Sequence, residues 1–173
     1  MNHEEFIDKL ESKGWNVQRN QVDADYSQNE VAGKLDKSPV ELKQFINSFN
    51  LLANPEDNIW FLSLQDYLKE NNGDGFAWNE FELQSLEAAE DEEEIAAIKA
   101  FWNAHLPFML SVKNGYAYCA VVLDGADKGK IVIGNEPMYE ETTVVAAGLN
   151  EFFDVFISFL EGEVSLPAFN ILK

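Results

Sequence analysis

The chain opens with helical spacing, turns to short strand-like runs past its middle, and closes on one strongly amphipathic stretch. Phe6, Ile7 and Leu10 share one side of a segment from His3 to about Lys13, the three-to-four spacing of a helix with a single apolar face. Asn2 stands before it with Glu5 three residues on, which predicts a capping box, and Gly14 is a natural stop. Residues 16–37 are polar with scattered Val and Tyr, and read as a loop with room for one short strand. A second helix is expected from Ser38 as cap, Pro39 at the first helical position and Glu41 as box partner. Its apolar stripe is Leu42, Phe45, Ile46 and Phe49, and Asn54-Pro55 ends the unit. Ile59 to Leu62 reads as a short strand. Ser63 with Asp66 predicts a third short helix that turns Leu64, Tyr67 and Leu68 inward. Asn71-Asn72-Gly73-Asp74-Gly75 is a turn cluster.

From Trp78 to Leu86 the pattern alternates in part. Phe81, Leu83 and Ser85 fall on one face and Glu80, Glu82 and Gln84 on the other, which predicts a half-exposed strand. The acidic run Glu87–Glu94 then leads into a helix with Ile95, Ile98, Phe101 and Trp102 on its apolar side, and its acidic start suits the helix dipole. Pro107 is read as the close of this unit. Three strand runs follow, Phe108–Val112, Tyr116–Leu123 and Lys130–Ile133, joined through Lys113-Asn114-Gly115 and Asp124–Gly129. The Asn-Gly pair is a hairpin signal. Thr142–Ala147 offers a fourth strand. A last helix with Asn150 as cap carries Leu149, Phe152, Phe153, Phe156, Ile157 and Leu160 as a continuous stripe, and Gly162 stops it. The tail has Leu166, Phe169, Ile171 and Leu172, too apolar to hang free. The expectation is an α+β fold: N-terminal helices, a central mainly antiparallel sheet of about four to six strands, and a closing C-terminal amphipathic helix. No linker or repeat divides residues 1–173, so one domain is expected.

Composition sharpens this picture. Thirteen Phe against three Met predict an aromatic-rich core. A single cysteine, Cys119, excludes an intrachain disulfide and fits a reducing compartment. The start lacks a basic region followed by an apolar one, and no apolar run approaches the roughly 20 residues of a membrane span. A cytoplasmic location is expected. The formal net charge is −19. By thirds it runs about −3 over 1–50, −11 over 51–100 and −5 over 101–173. Such a field repels nucleic acid and anionic membranes, so neither is expected as a partner, and it attracts basic proteins.

Catalytic signatures are sparse. His3 and His105 have no metal-ligand spacing, and His105 reads as a helix-end stabiliser. Cys119 lies inside an apolar strand and reads as a buried thiol. There is no Cys/His cluster, phosphate loop or Gly-x-Ser-x-Gly elbow. Asp124–Gly129 reads as a turn and not a calcium loop, because the acidic pair at alternating positions and the terminal Glu are missing. No catalytic residue, metal or cofactor is expected.

Several weak motifs together resemble the SUKH superfamily, which includes fungal cell-wall glucan-synthesis regulators and many bacterial relatives. Ser38-Pro39 with Leu42, Phe45 and Phe49 looks like the family's proline-started helix. Leu106-Pro107-Phe108 is similar to the start of a strand near its middle. Lys113-Asn114-Gly115-Tyr116 resembles its glycine turn, Asp124–Lys130 its next loop, and Gly148-Leu149-Asn150-Glu151-Phe152-Phe153 the start of its closing helix. The resemblance covers about Ser38 to Leu160. It implies a non-enzymatic binding domain. The leading expectation is an immunity protein that neutralises a basic toxin, such as a nuclease, by occupying it. The alternative is a regulatory or scaffold protein. A small hydrolase, with a deep pocket and a carboxyl of raised pKa, is the reading from another class. Carboxylates that mimic phosphates would carry the first: Glu87, Glu90, Asp91, Glu92, Glu93, Glu94, Glu140 and Glu141, with Glu80, Glu82 and Glu136 extending the field. Trp78 and Tyr139, beside turn-like segments, are the candidate aromatic anchors.

Overall fold

The computed structural model describes residues 1–20, 24–69 and 76–173. The helices among them are α1 (His3–Ser12), α2 (Ala32–Lys37), α3 (Val40–Asn47), α4 (Leu64–Leu68), α5 (Glu80–Ala88), α6 (Glu92–Asn103) and α7 (Leu149–Leu160). The strands are β1 (Asn16–Arg19), β2 (Phe49–Ala53), β3 (Ile59–Phe61), β4 (His105–Ser111), β5 (Ala117–Val122), β6 (Ile131–Asn135) and β7 (Thr143–Ala146), and a short 3-10 helix spans Pro167–Leu172. The strands form one sheet in the order β1 to β7, each antiparallel to the next. The α+β architecture is as expected. The sheet is larger, with seven strands among the described residues: β1 takes up the short strand allowed for in 16–37, and β2 joins from a segment read as helix end.

Alternation along the strands sorts two apolar layers. Phe61 of β3 and Phe108 of β4 face α1 and α7, where Phe6 stacks on Phe153 at 4.2 Å and meets Phe61 edge-on at 5.4 Å. Phe45 of α3 joins them. Phe169 of the tail packs on Phe152, Phe156 and Phe159, so the tail does fold back. The next residues along point to the other face. Trp60 meets Phe76, and Tyr118 of β5 meets Phe81 of α5 and Trp102 of α6. Each of these Phe side chains contributes about 1.5–3 kcal/mol by leaving water.

Of the three expected capping boxes, those at Asn2 and Ser63 form and that at Ser38 does not. Asn2 Oδ1 accepts from the Glu5 N–H at 3.0 Å and Glu5 Oε2 from the Asn2 N–H at 3.1 Å. Ser63 and Asp66 do the same for α4. Elsewhere local chemistry was assigned to the wrong element. Trp78–Leu86 is not a strand. Its core is α5, where Phe81 alone is fully buried, Leu83 is 39% exposed, and Gln84 reaches back one turn to Glu80. Ser38 closes α2 by donating to the Lys34 carbonyl at 2.9 Å, and α3 starts after Pro39 without a side-chain cap. Phe49 belongs to β2, although it still packs on Phe45. Pro107 lies inside β4, at the point where the register slips between Pro107 and Met109, a place in a sheet that tolerates a missing N–H. Gly148, not Asn150, precedes α7. Phe159 is buried there, while Leu160 is 36% exposed. The turn cluster Asn71–Gly75 lies outside the described residues.

Candidate functional site

The acidic residues from Glu80 to Glu94 lie on and between α5 and α6, and the loop between β6 and β7 is fastened to those helices. Tyr118 donates from its hydroxyl to the Tyr139 carbonyl at 2.5 Å. Tyr139 stacks on Phe81 at 4.7 Å and donates its own hydroxyl to Gln84 Oε1 at 2.8 Å. Gln84 turns its amide nitrogen to Glu80 Oε1 at 3.1 Å. Trp102 donates from Nε1 to Glu140 Oε1 at 2.7 Å. These bonds join α5, α6 and the loop into one surface. The Tyr139 phenol registers that convergence. Burial first, then the neighbouring Glu136, Tyr116, Glu80 and Glu140, push its pKa up to about 12.

Between Glu80 and Glu94 there are eight carboxylates and no lysine or arginine. Elsewhere several acids are paired. Arg19, the only arginine, reaches Glu4, Asp8 and Glu11 of α1. Lys13 pairs with Glu161, Lys69 with Asp66, Lys113 with Glu56 and Lys130 with Asp127. No ion pair among the described residues involves Glu80–Glu94, Glu136, Glu140 or Glu141. Lys34 of α2 lies close but is turned inward. It donates to the Trp102 carbonyl at 2.6 Å and sits 5.3 Å from the Trp78 ring centre. Burial lowers its pKa and raises that of Glu82, and each is partly restored by attraction to the other. Lys34 therefore serves the C-terminal end of α6 and leaves the outer carboxylates unbalanced.

Within the run the carboxylates divide by task. Asp91 Oδ1 caps the Glu94 N–H and Glu94 Oε2 accepts from the Glu90 N–H, both at 2.8 Å. Those two build the start of α6. Glu87, Glu90, Glu92, Glu93 and Glu141 are exposed and have no side-chain partner among the described residues. The expected aromatic anchors are placed otherwise. Trp78 and Tyr139 are both buried, Trp78 against Tyr67 and Lys34 and Tyr139 against Phe81. They support the surface from below and present little area to a partner.

The remaining candidates take structural positions. His105 Nδ1 lies 2.7 Å from the Phe101 carbonyl at the end of α6, and its ring stacks on Phe101. Burial lowers its pKa against that hydrogen bond. Cys119 is fully buried in β5, and burial drives its thiol pKa far up. Among the described residues no group of three His, Cys, Asp or Glu side chains is arranged to hold a metal ion. One pocket of about 280 Å³ is lined by Tyr26, Leu35, Ile46 and Leu64 with Lys43, and has no carboxylate among the described residues that line it. A smaller one includes Glu56, whose pKa is lowered by its bonds to Lys113 and Asn58.

Residue patterns alone did not reveal the scaffold of the surface. Gly134 held the available clue, a lone glycine inside the apolar run Ile131–Asn135, which marks close approach of another group. Compared with known proteins, the chain matches no family model, no curated sequence and no solved structure. Fold and site together define an α+β protein with, among the described residues, a seven-stranded antiparallel meander, helices on both faces of the sheet, and on one of them a carboxylate surface without ion pairs, tempered by Lys34 and Lys99 near Glu82.

Proposed function

We propose that the protein binds a basic protein partner through the α5–α6 carboxylates and, in line with its SUKH-like sequence pattern, that it is an immunity protein whose partner is a toxin. The observation that carries this reading is the contrast in charge pairing. Glu4, Asp8 and Glu11 of α1 are clamped by Arg19, whereas Glu87, Glu90, Glu92, Glu93 and Glu141 are exposed and unpaired among the described residues. Clustered unpaired carboxylates repel one another and add little to folding. They accelerate encounter with a cationic surface and can occupy the places that phosphates take on a nuclease. The loop held by Tyr118, Trp102 and Gln84 keeps Glu136 and Glu140 fixed beside them, so less ordering is needed on binding. The role asks no chemical step of the protein.

Co-expression with the product of the adjacent gene, followed by pull-down and a growth assay, tests the reading. A complex that rescues growth supports it. With that partner in hand, the combined substitution Glu90→Gln, Glu92→Gln and Glu93→Gln is expected to slow association about tenfold at low salt and to flatten its salt dependence. These three side chains make no hydrogen bond among the described residues, so the fold is kept at a small cost in stability. An unchanged association rate would remove this surface from the interface.

A further inference from the structure

The sheet has a second feature suited to a partner, its β7 edge, and the register shows which backbone groups it offers. Glu136 donates its N–H to the Tyr116 carbonyl and Val122 to that of Lys130. Between these, β5 and β6 pair Tyr118 with Gly134 and Ala120 with Val132. Every second pair of an antiparallel ladder exchanges hydrogen bonds. Val132 and Gly134 therefore bond toward β5, and Ile133 bonds toward β7. Ile133 pairs with Thr143, so Thr143 bonds inward. Val132 faces Val144 as the non-bonded pair, and the N–H and C=O of Val144 point to the open side. Continued one residue before β7, the same alternation would turn Thr142 outward. Among the described residues β7 has no further strand beside it, and Val144 is 48% exposed.

The two edges of the sheet differ. β1 carries Arg19 at a register shift, a charge and a bulge that discourage pairing. From Thr142 to Ala147 the chain has no charge and no proline. It is β-branched, and only the extra residue Val145 ends the open run. Exposed Glu141 stands at the start of this edge, next to Glu140 and the carboxylate surface. A second copy would bring another −19 of charge, whereas a cationic strand is attracted.

We infer that Thr142–Val144 accepts an extended segment of a basic protein as an eighth strand, with lysine or arginine flanking a short β-branched stretch. Backbone bonds to Val144 and Thr142 hold the segment, and Glu141 and its neighbours receive the flanking cations. This rests on the reading that the partner is a basic protein, and it names which part of that partner docks.

The test is an amide-resolved NMR titration of the full chain with the peptide Lys-Lys-Thr-Val-Thr-Val-Lys-Lys and with its twin carrying Glu for each Lys. The expected result is a shift of the Thr142–Val144 amides by the basic peptide alone. Val144→Pro removes an outward N–H and leaves the β6 ladder whole, so it should weaken that binding about tenfold or more, while Val144→Thr keeps it. Shifts confined to Glu87–Glu94 would overturn the edge proposal and spare the acidic surface. Equal response to both peptides, or self-association through β7 without peptide, would also overturn it. Silence in both regions would remove the edge and the charge argument for the partner together.

Discussion

A single hydrogen atom at Gly134 lets Tyr118 lie across β6. A Cβ built there would stand 2.6 Å from the Tyr118 ring and hydroxyl, closer than side-chain atoms pack. Gly134→Ala is expected to cost about 1–3 kcal/mol in urea denaturation and to loosen the 136–142 loop that Tyr118 fastens. Gly33, inside α2 with open space around it, is the opposite case, and Gly33→Ala should stabilise by about 0.5–1 kcal/mol. Tyr139 gives a residue-level pH test. Its folded pKa rises from 10.0 to about 12 through burial and the nearby carboxylates. A raised pKa means its stabilisation is complete below pH 10.0 and drains away as pH climbs toward about 12. Burial raises Tyr67 and Tyr118 in the same direction. Denaturation midpoints across this range should therefore fall steeply in the parent protein and less steeply in Tyr139→Phe. At this scale the sequence was legible where one side chain serves its own neighbour, as Asn2 serves Glu5 and Ser63 serves Asp66. It was not legible where the partner is distant, as for Trp78 and Tyr139, whose position beside turns looked like exposure.

Helix ends give the carboxylates opposite energetic signs. Glu93 lies in the first turn of α6, where the dipole favours it, and Glu87 lies in the last turn of α5, where the dipole opposes it. Glu87→Gln is expected to stabilise and Glu93→Gln to destabilise, each by about 0.3–1 kcal/mol at low salt. Thermal melts at two ionic strengths would show both effects shrinking together. Asp91→Ala should cost about 1 kcal/mol, because the Glu94 N–H loses its cap. These costs are small beside the proposed effect on association, so the two roles are separable. The misreading of α5 has a clear source. Phe81, Leu83 and Ser85 imitate strand alternation, and one buried aromatic is too little to write a helical stripe. α7 had six apolar positions at helical spacing and could be read without ambiguity. β1 is short and mostly polar and β2 is a five-residue run behind a helix, so only the pairing of β1 with β2 and of β2 with β3 makes them strands.

Across the whole molecule, a net charge of −19 means that moderate salt should raise the melting temperature by screening repulsion. The Glu90, Glu92, Glu93 triple substitution should shrink that rise, which differential scanning measurements would detect. The architecture of helices, antiparallel sheet and closing helix was readable because each part has its own periodicity. The number of strands and the pairing of helices with faces were not, since both depend on contacts far apart in sequence. The order of the sheet also bears on how the chain acquires its shape. Every strand lies beside its nearest predecessor and successor, so the meander can zip up hairpin by hairpin without waiting for a remote segment. The cover on the α1 side is different: Phe6 meets Phe153 near the opposite end of the chain. A growing chain would thus hold an almost finished sheet with one oily flank still bare, and the arrival of α7 is the event that seals it.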